Sequence, residues 1–154
     1  MEDFVSFEIA KKLKEKGFNV SCIYAYCKQG GWNKYTQKHE PITYILRTDG
    51  NPFGTYYIGK NWNKEYKINK NKIQCSAPTI SQVLKWLREE KKIHISLCRY
   101  KDDNISFAGW FYLIVEMGDS IWKYHDQEPQ RDNSTATYES VAIDAIKYVL
   151  DNLI

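Results

Sequence analysis

TISQVLKWLREEKKIHISLC, residues 79–98, reads as a helix that runs straight into a strand. Thr79 supplies a cap for the first turn. Gln82, three residues on, can return a hydrogen bond to the cap backbone, and Pro78 fixes the entry of the chain. Ile80, Val83, Leu84 and Leu87 then recur at the i, i+3, i+4, i+7 spacing of one buried helix face. After the charged run 88–92 the period changes to two. Ile93, Ile95 and Leu97 point one way and His94, Ser96 and Cys98 the other, the alternation of a half-buried strand with its polar side to solvent. A helix handed directly to such a strand places the chain among α+β folds.

The flanking sequence extends this pattern in both directions. Downstream, a strand over 105–116 is apolar on both faces through WFYLIV, Gly118-Asp119 turns the chain, and a further strand covers 121–125. After the polar stretch DQEPQRDNS comes a last helix, capped by Thr137, with Ala142, Ala145, Ile146, Val149 and Leu153 as its apolar stripe. Upstream, Ser6 caps a short helix whose apolar positions are Phe7, Ile9, Ala10 and Leu13. Lys11, Lys12, Lys14 and Lys16 form its solvated side, and Gly17 ends it with Phe18 folding back. Strands are expected over 20–27 and 41–47, with Gly30-Gly31 breaking the chain between them. Asp49-Gly50-Asn51-Pro52 makes a turn into a hairpin strand at 55–58. Residues 59–72 are polar, a long loop or an exposed edge strand, and 73–76 form a short strand before the central helix. The order is α-β-β-β-(β)-α-β-β-β-α. With no Gly-, Ser- or Pro-rich linker, residues 1–154 read as one two-layer α+β domain, an antiparallel sheet with helices packed on one face.

Composition agrees with a folded chain: 43% of the 154 residues are hydrophobic and 15% aromatic, enough to build a core. No apolar run approaches the ~20 residues that span a bilayer, and the start, MEDFVSFEIA, lacks a secretory pattern, so the expected location is cytoplasmic with no membrane contact. Cys22 and Cys27 are five apart, which in a strand turns their side chains to opposite faces, and the sequence holds neither CxxC nor HxxxH. The four cysteines, Cys22, Cys27, Cys75 and Cys98, therefore read as reduced and mostly buried. No metal ligands and no cofactor are assigned.

Signatures of catalysis are missing: there is no phosphate loop, no G-x-S-x-G, no dinucleotide fingerprint and no HExxH. The reading leans away from an enzyme and assigns no catalytic residue. His39, His94 and His125 are scattered. A thiol site built from Cys98, His125 and Asp126 would need the fold to unite them. Glu89-Glu90 and Asp102-Asp103 read as a helix end and a hairpin turn.

Charge is the stronger signal. Residues 1–75 hold 13 Lys/Arg against 7 Asp/Glu, and residues 76–154 hold 9 against 12, so a basic half precedes a mildly acidic one. Within residues 28–72, nine basic residues face only Glu40, Asp49 and Glu65 and are interleaved with aromatic rings. Trp32, Lys34, Tyr35, Phe53, Lys60, Trp62, Lys64 and Lys67 are the candidate binding residues. Lysines neutralise phosphates and exposed rings stack on bases, so the mixture suits a single-stranded nucleic acid if rings such as Trp62, expected to be exposed, share a face with the lysines. The plainer reading has the strand aromatics in the core and the lysines keeping the protein in solution. The helix, three strands and helix of residues 79–154 also follow the order of double-stranded-RNA-binding domains. That half is net negative, however, and its last helix opens on Tyr138, Glu139 and Ser140 where lysines would be needed.

Three stretches, FVSFEIAKKLKEKGF, SAPTISQVLKWLREEKKIHI and TYESVAIDAIKYVLDNLI, together resemble a family of small uncharacterised proteins encoded by phages and prophages of gut bacteria. They fall in that family's order, so the resemblance runs end to end, and residues 28–72 match least. It implies a non-enzymatic accessory protein that binds a protein partner, from host or phage, or itself. Nucleic-acid binding through 28–72 is the alternative.

Overall fold

The computed structural model describes residues 3–48, 59–65, 67–68, 71–99, 109–118, 122–126 and 137–154, and of Trp32, Asn33, Glu40, Lys67, Ile68, Asn71, Trp122 and Asp126 the backbone alone. The expected strand at 55–58 and the turn at 49–52 lie outside the described residues. Three helices and seven strands are described, in the expected α+β order: α1 (Phe7–Glu15), β1 (Tyr24–Asn33), β2 (Lys38–Arg47), β3 (Lys67–Ile68), β4 (Asn71–Ala77), α2 (Ile80–Glu90), β5 (Ile93–Arg99), β6 (Trp110–Met117), β7 (Trp122–Asp126) and α3 (Tyr138–Asn152). The strands form two antiparallel sheets, β2-β1-β4-β3 and β5-β6-β7. The chain groups into two compact units, residues 4–79 and residues 80–154 with 1–3.

In the first unit, Ser6 caps α1 by accepting from the Ile9 N–H at 3.4 Å. Ile9, Ala10 and Leu13 are buried, and α1 packs on β4. Gly17 takes the left-handed conformation (φ +85°), and the buried Phe18 donates its N–H back to the Leu13 carbonyl at 2.9 Å, closing the helix as expected. Gly30-Gly31, expected to break the chain, instead sits inside β1 as a bulge, so the strand runs on to Asn33 and pairs with β2 on both sides of the irregularity. Gly30 has φ +89°, and a Cβ there would stand 2.1 Å from the Pro41 carbonyl oxygen, so only glycine brings the two backbones this close. β1 also begins later than expected, at Tyr24. Cys22 forms a separate bridge with Lys60, N–H to carbonyl in both directions at 2.9 and 3.0 Å.

Residues 59–65, expected to be a long loop or an exposed edge strand, keep Gly59, Lys60, Lys64 and Glu65 exposed but send Trp62 into the core. Trp62–Lys64 is a single 3-10 turn capped by Asn61. Asn63 anchors it twice, donating to the Phe18 carbonyl (2.8 Å) and accepting the Ser76 N–H (2.9 Å). Trp62 is only 2% exposed, and its indole N–H donates to the Cys22 carbonyl at 2.7 Å.

In the second unit, the buried positions of α2 are Ile80, Val83, Trp86 and Leu87. Leu84, expected in the core, is half-buried, because the buried face is centred nearer Trp86. β5 then buries Ile93 and Ile95 against Tyr112 and Ile114 of β6. His94 and Ser96 are half-buried where exposure was expected. Thr137 caps α3 through the Ser140 N–H at 3.1 Å. Its buried stripe is Val141, Ala142, Ala145, Ile146, Val149 and Leu150, broader than the expected one, while Leu153 stands at the C-cap and is half-buried.

Candidate binding face

The sequence candidates separate in space. Tyr35 stands at the tip of the β1–β2 hairpin, 86% exposed, with the Lys34 ammonium 5.0 Å over its ring. Trp32 is placed on β1 opposite His39, and Lys67 on β3 opposite Lys72. Phe53 lies outside the described residues. Lys60 lies over the Trp62 ring at 5.4 Å, but the ring is buried, so Trp62 is not the exposed stacking platform that was expected. A ring held in the core cannot take a base.

A different set of residues comes together on the α1 side of the first sheet. Phe7, Lys11 and Lys14 follow one another at i, i+4, i+7, which places them along one side of α1, beside the buried positions. The Phe7 ring stacks on Tyr44 of β2 (centroids 3.6 Å apart, planes 11° apart) and meets Tyr26 of β1 edge-on at 5.6 Å. Between this aromatic wall and β4 lies a cavity of about 470 Å³ lined by Phe7, Lys11, Lys14, Glu15, Tyr44, Gln74 and Cys75. Lys14 donates to the Gln74 carbonyl at 2.7 Å, and on the far side of that contact a second cavity of about 440 Å³ opens beside Lys64, Glu65 and Lys72. The volumes are those of ligand-sized clefts.

The strand register adds two features. Tyr44 pairs with Lys28, Lys28 with Lys72 and Lys72 with Lys67, so one row across the four strands reads Tyr, Lys, Lys, Lys. Like charges directly opposite one another in a sheet repel. Among the described residues no carboxylate pairs with Lys11, Lys28, Lys64 or Lys72. Along β2, Ile42, Tyr44 and Leu46 alternate onto the same face and are 52%, 40% and 38% exposed, an apolar strip bordering the lysines.

The thiols nearby offer no nucleophile. Burial pushes Cys75 up to about 12, with Lys14 opposing only in part, and it pushes Cys22 up to about 12 and Cys27 upward as well. Burial likewise raises Tyr26, whose hydroxyl donates to the Val5 carbonyl. All four cysteines are free, and among the described residues no three His, Cys, Asp or Glu side chains cluster as metal ligands. In the second unit, His125 is bonded to Glu116 at 2.7 Å. Cys98 is opposite Phe111 and His125 opposite Ile114, three positions further along β6. The thiol and the imidazole thus stand on opposite faces of the sheet and form no pair. α3 opens on exposed Tyr138, Glu139 and Ser140, without the cations that an RNA duplex would need there.

Sequence reasoning missed Phe7, Lys11, Lys14, Gln74 and Cys75, because the lysines of α1 read as an ordinary solvated side. The signal that could have found them is the i, i+4, i+7 spacing of one aromatic ring and two lysines. Among the described residues no helix is long and apolar enough to cross a membrane. No family model, curated protein or solved structure matches the chain.

Proposed function

We propose that this protein is a non-enzymatic binding protein, an accessory protein of phage or prophage origin, whose face formed by α1, β1, β2 and β4 takes a protein partner. The observation that carries this reading is the pairing of cations with exposed aliphatic side chains on one sheet face. Lys28 and Lys72, with no carboxylate partner among the described residues, stand in register beside Ile42, Tyr44 and Leu46. Aromatic and aliphatic side chains ringed by polar groups are the anatomy of a protein interface. A base-stacking groove needs free ring faces instead, and here Phe7 and Tyr44 are stacked on each other while Trp62 is in the core.

A photo-crosslinking side chain at Ile42, with one at Glu89 as control, tests the proposal in a bacterial lysate with and without nuclease. A nuclease-resistant protein adduct at position 42 and none at 89 is the expected result. Equal labelling at both positions would refute it. The second reading, nucleic-acid binding, rests on the exposed Tyr35 with Lys34 over its ring and would be favoured by an adduct that disappears with nuclease.

A further inference from the structure

We infer that the partner segment received by this face is an acidic stretch of polypeptide with aliphatic or aromatic residues beside its carboxylates. The inference rests on reading the face as a protein-binding surface and goes on to specify the occupant. Cβ atoms directly opposite in an antiparallel pair lie about 5 Å apart, so Lys28 and Lys72 root two exposed cationic side chains next to each other. Among the described residues no carboxylate pairs with either, and Lys67 extends the row at the register level. Lys11 reaches the same region from α1 and Lys64 from the 3-10 turn. The described acids nearby are Glu15 and Glu65, each in the lining of one cavity, and Glu8 of α1, which acts on Tyr26. A ligand that sets carboxylates between Lys28 and Lys72 turns a repulsion within the free protein into attraction across the interface, which a neutral or cationic ligand cannot do.

The apolar half of the argument excludes a simple polyanion. Ile42 and Leu46 are branched aliphatic side chains with no stacking face, exposed on either side of Tyr44 on an alternating strand. Covering them rewards apolar contact, which a sugar-phosphate backbone does not supply. The row from Tyr44 through Lys28 to Lys72 crosses two strand spacings, roughly 10 Å, the reach of about three residues of extended chain. The fitting occupant is therefore a short run of Asp or Glu followed within a few residues by Leu, Ile or Phe.

Two capped peptides and one oligonucleotide serve as probes, each carrying a fluorophore: four glutamates followed by leucine-phenylalanine-leucine, the same peptide with glutamine for glutamate, and a thymidine 12-mer. Anisotropy is read on the full chain at about 50 and about 200 mM salt. The glutamate peptide should bind, weaken about threefold or more at the higher salt, and bind at least about tenfold better than the glutamine peptide. The double variant Lys28→Gln, Lys72→Gln removes a like-charge pair and should melt no lower than the parent, yet bind the glutamate peptide about fivefold or more weakly. Tyr44→Ala should weaken it too, through the apolar contact.

Equal binding of the two peptides, no binding of either, or an unchanged affinity in the lysine variant would overturn the acidic assignment. Tighter binding of the thymidine strand than of the glutamate peptide would overturn it as well. The cross-link at position 42 separates the two levels of the argument. If the adduct persists in the Lys28→Gln, Lys72→Gln variant, the protein-binding reading stands and only the acidic assignment falls. If position 42 gives no selective adduct even in the parent, both fall.

Discussion

Replacing Trp62 is the sharpest test of how the first unit is held together. The ring is 2% exposed and lies on a single 3-10 turn, so no long element holds it in place; packing and one hydrogen bond do. A buried tryptophan removes roughly 200 Å² from water, worth about 5 kcal/mol at ~25 cal/mol per Å², and large-to-small changes at such sites cost ~3–5 kcal/mol. The indole N–H adds about 1 kcal/mol through its bond to the Cys22 carbonyl. That carbonyl also accepts the Lys60 N–H, so it is not left without a partner when the indole goes. Trp62→Ala should therefore lose about 3–5 kcal/mol, and Trp62→Phe, which keeps most of the ring volume, about 1–2.5 kcal/mol. Urea unfolding followed by far-UV circular dichroism measures both. A loss below ~1 kcal/mol for Trp62→Ala would mean that the ring packs little in the native protein. The same variants bear on function. If Trp62 stacked on bases, the phenylalanine variant would lose affinity for a single strand in proportion to ring size, whereas a core ring leaves that affinity unchanged.

Other expectations follow from the same geometry. Leu87→Ala should destabilise by ~2–5 kcal/mol and Leu84→Ala by less than ~1.5, since only Leu87 is fully buried; equal losses in chemical denaturation would contradict the placement of α2. Gly30→Ala should cost ~2 kcal/mol or more, from the left-handed backbone together with the clash on the Pro41 carbonyl, and a neutral outcome would show that the bulge is absent. The fold holds Cys22 and Cys75 protonated to about 12 against an ordinary 9.0, so the unfolded chain gives up these protons first as pH rises. Stability is then complete below pH ~9 and falls above it, by up to ~1.4 kcal/mol per thiol for each pH unit towards 12. Thermal melts from pH 8 to 10.5 should show the decline, and changing both cysteines to alanine should flatten it. In the native protein at neutral pH, a maleimide should label Cys98 well before Cys22, Cys27 and Cys75, which are buried; simultaneous labelling would refute that burial.

The second half of the fold was largely legible because its elements are long and periodic. The handover at 91–93 from helical to strand period fixed α2 and β5, and the Thr137 cap fixed the start of α3. The first half misled for specific reasons. Gly30-Gly31 carries a strong turn signal, yet the same freedom at φ > 0 builds a bulge when both flanking segments find partners in a sheet. The stretch 59–65 is polar in composition, and composition cannot show that Asn61 and Asn63 bind their side chains to the backbone at 18–19 and 76. Asparagines that anchor a turn look the same in sequence as solvated ones. That turn carries Trp62 inward, so the ring follows its anchors and not the polarity of its neighbours.

The candidate face was hidden for a related reason, and the reason bears on its function. An excess of lysine between residues 28 and 72 was visible, but excess charge alone does not say which lysines meet. The sheet register decides that by setting Lys28 of β1 opposite Lys72 of β4, forty-four positions away in sequence, while the bulge shifts which residues of β2 share their face. Solubility alone would be served as well by lysines scattered over separate faces, without the repulsion of a directly opposed pair. A fold that places them in one row, with exposed Ile42, Tyr44 and Leu46 alongside, accepts a local cost that an anionic, partly apolar ligand would relieve. The same comparison can be made within the free protein. Lys28→Gln alone should raise the melting temperature slightly in low salt and leave it unchanged in high salt, where the repulsion is already screened. No gain in low salt would mean that the two ammonium groups avoid each other through their flexible stems, and the register would then carry no argument for an acidic partner.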